Sequence, residues 1–207
     1  MITTRTLACL SLVSILPFAS VVHAEMGPYV GIGAGITKFY DDGFIEDNQG
    51  NGDWDDSGTA YGFVAGYKFS NNFSIEWSYQ DYDYNEYGVD SLSDVDMQAW
   101  HISGLMALPF EETFLGKLDL YGKLGFGESD FSYRQAQFGV GEDQTSESFI
   151  LGGGSQFYIN QNFRIRTELD ITTFNLEAST SQNATSYLTK DYTFTALTAK
   201  AMLVYAF

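Results

Sequence analysis

Residues 163–171 read Phe-Arg-Ile-Arg-Thr-Glu-Leu-Asp-Ile. Phe163, Ile165, Thr167, Leu169 and Ile171 fall on one side of a period of two. Arg164, Arg166, Glu168 and Asp170 fall on the other. Successive side chains of a strand point to opposite faces, so this stretch is a β-strand with one apolar and one fully charged face. The same period recurs. Phe73, Ile75, Trp77 and Tyr79 alternate with Ser74, Glu76, Ser78 and Gln80. Tyr61, Phe63, Ala65, Tyr67 and Phe69 alternate with Gly62, Val64, Gly66 and Lys68. Leu118, Leu120, Leu124 and Phe126 alternate with Asp119, Tyr121, Lys123 and Gly125. Near the C-terminus Leu197, Leu203, Tyr205 and Phe207 stand opposite Thr198, Lys200, Met202 and Val204.

The pattern predicts eight strands, near 27–40, 58–69, 73–84, 94–108, 117–128, 147–159, 163–177 and 192–207. Ser70-Asn71-Asn72 and Asn160-Gln161-Asn162 are tight hairpin turns, and 109–116 is a somewhat longer connection. The segments 41–57, 85–93, 129–146 and 178–191 are long. Long and short connections alternate, so an up-and-down antiparallel sheet puts all short turns at one end and all long loops at the other. Transmembrane barrels share that asymmetry.

A soluble barrel also alternates, and three features argue against it. On the polar strand faces Lys68, Lys123, Arg164, Arg166 and Lys200 stand against Glu76, Asp119, Glu168 and Asp170. A closed interior requires that balance, because buried charges must be paired; a wet face does not. Aromatics gather at strand ends, as membrane-interface girdles do: Phe69, Phe73, Phe110, Phe114, Phe163 and Phe207 near the short turns, and Phe39, Tyr40, Tyr61, Tyr79, Phe174 and Tyr192 near the long loops. Finally, the chain ends on an apolar-face aromatic, Phe207.

Residues 1–24 read as a cleaved signal peptide: Arg5, an apolar run from Leu7 to Val22, and Val22-His23-Ala24 before Glu25. The barrel domain is then 25–207. Cys9, the one cysteine, leaves with the leader, so no disulfide framework or cysteine metal site is expected. With 10 Lys+Arg against 27 Asp+Glu the net charge is −17, which argues against nucleic acid as a partner.

The chain resembles the OmpA/OmpX-like eight-stranded outer-membrane barrels. The resemblance rests on Gly-Pro-Tyr-Val-Gly-Ile-Gly-Ala-Gly at 27–35, Gly-Tyr-Lys-Phe-Ser-Asn-Asn-Phe-Ser-Ile-Glu at 66–76, Leu-Tyr-Gly-Lys-Leu-Gly-Phe-Gly at 120–127, and Phe-Tyr-Ile-Asn-Gln-Asn-Phe-Arg-Ile-Arg-Thr-Glu at 157–168. It implies an all-β, antiparallel, up-and-down transmembrane barrel in the outer membrane, surrounded by lipid and lipopolysaccharide. It also implies that Leu203, Tyr205 and Phe207 form the terminal signal read by the barrel-assembly machinery. The peptidoglycan-binding domain of full-length OmpA has no counterpart here.

Eight strands enclose a space just wide enough for their own side chains. The nine charged residues above therefore read as a salt-bridged plug, and the chain as a non-enzymatic envelope protein with a structural or surface-interaction role. A small-solute or ion channel of the porin kind is the alternative. Acidic loops offer a site for an extracellular ligand. Within them Asp53, Asp55 and Asp56 are a weak candidate for a divalent cation, lacking EF-hand spacing. No cofactor is expected. A lipid A-modifying enzyme is the least favoured reading. His101-Ile102-Ser103 is similar to the His-x-Ser pair of lipid A deacylase barrels, but the nearest following acids, Glu111 and Glu112, fall in the turn at the wrong end. An inward His101 held by a neighbouring carboxylate is the expectation.

Overall fold

The computed structural model describes residues 26–41, 57–84, 93–113, 116–135, 140–183 and 186–207. Eight strands follow one another: β1 Gly27–Asp41, β2 Ser57–Lys68, β3 Phe73–Tyr84, β4 Ser93–Thr113, β5 Gly116–Gln135, β6 Val140–Tyr158, β7 Phe163–Asn183 and β8 Ser186–Ala206. Each pairs antiparallel with its neighbours in sequence, and β1 pairs with β8, so the sheet closes into a barrel without a free edge at membrane height. Closure matters because an unpaired strand edge in lipid leaves backbone groups unsatisfied at several kcal/mol each. The leader expected over 1–24 and the Asp53, Asp55 and Asp56 cluster lie outside the described residues.

The alternation resolves into lipid-facing and lumen-facing sides. Ile32, Ile36, Met106, Leu108, Phe126 and Leu169 are exposed, each more than half so. The residues between them turn inward and are buried. Of the expected girdle near the short turns, Phe69, Phe73, Phe110, Phe163 and Phe207 do face outward, and Phe114 lies outside the described residues. At the other end Tyr40 and Tyr61 are exposed, but Phe174 is 2% exposed and Phe39 packs against the same interior cluster. These two belong to the lumen, not to a girdle. Their parity explains it: Phe174 shares a face with Asp170 and Thr172. The side chain of Tyr192 is not among those described.

Three connections differ from expectation. Pro109 and Phe110 pair with Asp119 and Leu118, so most of 109–116 is strand, with a register shift between Phe110 and Thr113. Residues 129–146 continue the β5–β6 ladder to Gln135↔Val140, and 178–191 continue the β7–β8 ladder to Asn183↔Ser186. These are protruding hairpins rather than loops. The 21 residues of β7 span about 70 Å at a rise of about 3.3 Å each, whereas about 9–11 tilted residues cross a bilayer. Beyond the apolar belt the outer face carries Glu128, Asp130 and Glu147, all exposed, so the sequence loses its apolar outer face while the backbone ladder runs on.

The two tight turns are built alike. Ser70 Oγ accepts from the amides of Asn72 and Phe73, and Asn160 Oδ1 from those of Asn162 and Phe163. The second asparagine of each turn then latches the next strand: Asn72 Nδ2 donates to the Ala107 carbonyl at 2.9 Å, and Asn162 Nδ2 to that of Ala206 at 2.8 Å.

Candidate functional site

All nine charged residues singled out in the sequence point into the lumen and are buried. The barrel gathers six of them into one network. Lys123, on β5, lies 3.0 Å from Glu168, 3.5 Å from Glu76 and 3.9 Å from Asp170. Lys200, on β8, reaches Glu168 and Asp170, both at 2.7 Å. Arg166 Nη1 donates to Glu76 and lies 3.8 Å from Glu168. Each carboxylate thus faces at least two cations, the geometry that offsets desolvation. Gly152 makes room for it: a Cβ there would lie 2.0 Å from Asp170 Oδ1.

The other three sit nearer the short turns. Lys68 approaches Asp119 at 3.5 Å, and the Tyr158 hydroxyl accepts from Lys68 while donating to Asp119. Arg164 stacks over the Tyr158 ring, 4.7 Å from its centroid.

Several partners were missed in the sequence. Tyr29 donates to Glu76 at 3.0 Å, Tyr121 to Glu168 at 2.6 Å, and Gln156 accepts from Arg166. Arg166 is sandwiched between the rings of Tyr29 and Tyr121. Tyr29 sits in glycine-rich β1, where Gly31, Gly33 and Gly35 carry no phase information. Its ring fits only because Gly66 faces it; a Cβ there would lie 2.4 Å from Tyr29 Cζ.

Towards the long hairpins the lumen changes character. Ala60, Tyr82, Met97, Ala99, Phe131, Phe174, Phe194 and Ala196 form a buried apolar cluster, joined by Phe39. Phe174 and Phe194 stack at 5.7 Å, and Phe131 lies 5.6 Å from Phe194. An aromatic stopper therefore caps the ionic network. The signal was in the parity: counting by twos from Asp170 reaches Phe174, and from Lys200 reaches Phe194.

His101 and Ser103 do face inward. They are not paired with one another, and among the described residues no carboxylate holds the imidazole. His101 Nε2 is hydrogen-bonded to Ser148 Oγ at 3.0 Å, while its Nδ1 and Ser103 Oγ are buried without a hydrogen-bond partner. The imidazole thus lacks the orienting acid that activates a serine. No group of three metal-ligating side chains occurs among the described residues. On the outer wall, Leu203, Tyr205 and Phe207 share the lipid face. Tyr205 packs between Phe163 and Phe207 at 5.0 Å from each, and the Phe207 amide donates to the Pro28 carbonyl at 3.1 Å.

Solved structures share this architecture. The attachment invasion locus protein Ail of Yersinia pestis aligns at TM-score 0.52 and 18% identity, covering 86% of this chain and 98% of Ail. Neisserial surface protein A gives 0.52 and 17%, over 86% of this chain and 96% of that one. OprG of Pseudomonas aeruginosa gives 0.56 and 14%, over 91% and 99%. No curated protein matches the sequence. The model of the outer membrane protein beta-barrel domain matches residues 6–207, and the chain belongs to that family of outer-membrane barrels.

Proposed function

We propose that this protein is a non-enzymatic surface barrel. Its barrel anchors it in the membrane, and its protruding hairpins engage a partner outside the cell. The observation that carries this reading is the doubly stopped lumen: an ionic network below and an aromatic cluster above, which together oppose a constitutive pore. The leader at 1–24 exports it, and the assembly machinery reads Leu203, Tyr205 and Phe207 at its end. Lipopolysaccharide surrounds the finished barrel.

Above the apolar belt, Asp81, Asp83, Glu128, Asp130 and Glu147 face outward and are exposed. One solved Ail structure holds a heparin analogue, sucrose octasulfate. The acidic rim here favours neutral or cationic partners over such polyanions. Two measurements test the reading. Proteoliposomes should not swell in small sugars. Cells expressing the protein should lose a surface-binding phenotype when the tips at 136–139 and 184–185 are replaced by two-residue turns, with the barrel still heat-modifiable. Swelling at porin rates, or a phenotype indifferent to both tips, would overturn it.

A further inference from the structure

The β6–β7 ladder ends at Ser148↔Phe174, although both strands run on beyond that pair. Where the two hairpins part, the outer wall carries a cleft of about 820 Å³. Its lower wall is aromatic: Phe126 and Phe149 are cross-strand partners, 68% and 50% exposed, with Trp100 beside them. Its upper wall is acidic. Glu128 is the direct partner of both Trp100 and Glu147. Like charges directly opposite on a sheet repel, and among the described residues no basic side chain lines the cleft. The cleft lies where the lipid belt gives way to the polar rim, since Leu124 and Leu151 below it are exposed apolar residues and Asp130 above it is exposed and charged.

We propose that this cleft binds an amphipathic organic cation, a quaternary or primary ammonium on a hydrocarbon chain. The charge pattern selects that class. A cation between Glu128 and Glu147 relieves their repulsion and meets the face of Trp100, where cation–π attraction adds to the ion pairing. The chain then lies along Phe126 and Phe149 towards the bilayer, losing contact with water. An anionic or zwitterionic headgroup would bring a negative charge against the two carboxylates. A bare cation would leave the aromatic wall unused.

The test uses contact quenching. In the folded protein in uncharged maltoside micelles, Trp54→Phe and Trp77→Phe leave Trp100 as the single tryptophan. A 2-bromododecyltrimethylammonium, whose bromine sits beside the headgroup and so beside Trp100, should quench it at concentrations at least tenfold below those needed for 2-bromododecanol. Glu128→Gln with Glu147→Gln should abolish the preference. Asp81→Asn with Asp83→Asn, which removes as much charge elsewhere on the rim, should preserve it. Saturation transfer from the unsubstituted-tryptophan protein to the trimethylammonium methyls gives the same comparison without the background changes. Equal loss in both double variants would mean general attraction to an acidic surface and would overturn the site. So would competition by tetramethylammonium as effective, mole for mole, as that of the long-chain cation.

Discussion

Lys123 shows how little freedom a single residue has inside so narrow a barrel. Its ammonium is fully enclosed and faces Glu76, Glu168 and Asp170. Lys123→Met would leave three buried carboxylates sharing Arg166 and Lys200. Removing one partner of a buried ion pair costs about 3–5 kcal/mol, and urea unfolding in micelles should show a loss of that order. Adding Glu168→Gln should recover part of it, because residues of one network are not additive. On the opposite face the rule inverts. Leu169 neighbours Glu168 but points into lipid, 54% exposed in the isolated barrel. Leu169→Arg should destabilise by about 2–4 kcal/mol, the cost of a cation on the lipid face near the midplane. The check is a folding titration into bilayers, and the same variant should be nearly silent at position 175, above the belt, where Asn175 is already polar and exposed.

At the scale of elements, the last strand closes the barrel by two routes. The Phe207 amide bonds to Pro28 on β1, and the Ala206 backbone is held by Asn162 of the β6–β7 turn on both its amide and its carbonyl. Deleting Phe207 removes one bond across the seam and one ring from the Phe163–Tyr205–Phe207 row. It should therefore lower the heat-modifiable fraction in the outer membrane far more than shortening the 184–185 tip would. This seam was legible in sequence only in part. The period of two identified Arg164, Arg166, Glu168 and Asp170 of β7 and Thr198, Lys200, Met202 and Val204 of β8 as inward, because an apolar belt and a charged lumen stamp opposite chemistry on alternate positions. The same signal failed for 129–146 and 178–191, where no apolar outer face stands opposite the inner one to mark the alternation. It also misassigned Phe39 and Phe174, because an aromatic near a strand end satisfies a girdle and a stopper equally well until its parity is counted. The partners of the charges, Tyr29 and Gln156, come from strands whose registers only the closed sheet sets. The same holds for the bond between His101 and Ser148, 47 residues apart.

Across the whole molecule the lumen carries two barriers in series, and their order makes a prediction that neither alone would. A path for ions needs a continuous wet route, and the larger barrier of a series sets the rate. The aromatic stopper excludes water from the upper lumen by packing. The ionic network below is polar but holds Arg166, Lys123 and Lys200 locked between carboxylates. Unmodified barrels in a planar bilayer should therefore show no sustained conductance. Phe174→Ala with Phe194→Ala empties the stopper, at a stability cost of about 3–5 kcal/mol for each large aromatic truncated, yet the network still spans the lumen and the current should stay near baseline. Replacing Arg166 and Glu76 by Gln while keeping the phenylalanines should also conduct poorly, because the apolar cap remains dry. Only the combined variant should pass current well above either parent. Single-channel recording of the three variants decides the matter. If emptying the stopper alone opens a channel equal to that of the combined variant, the network is no barrier, and the lumen has one gate rather than two.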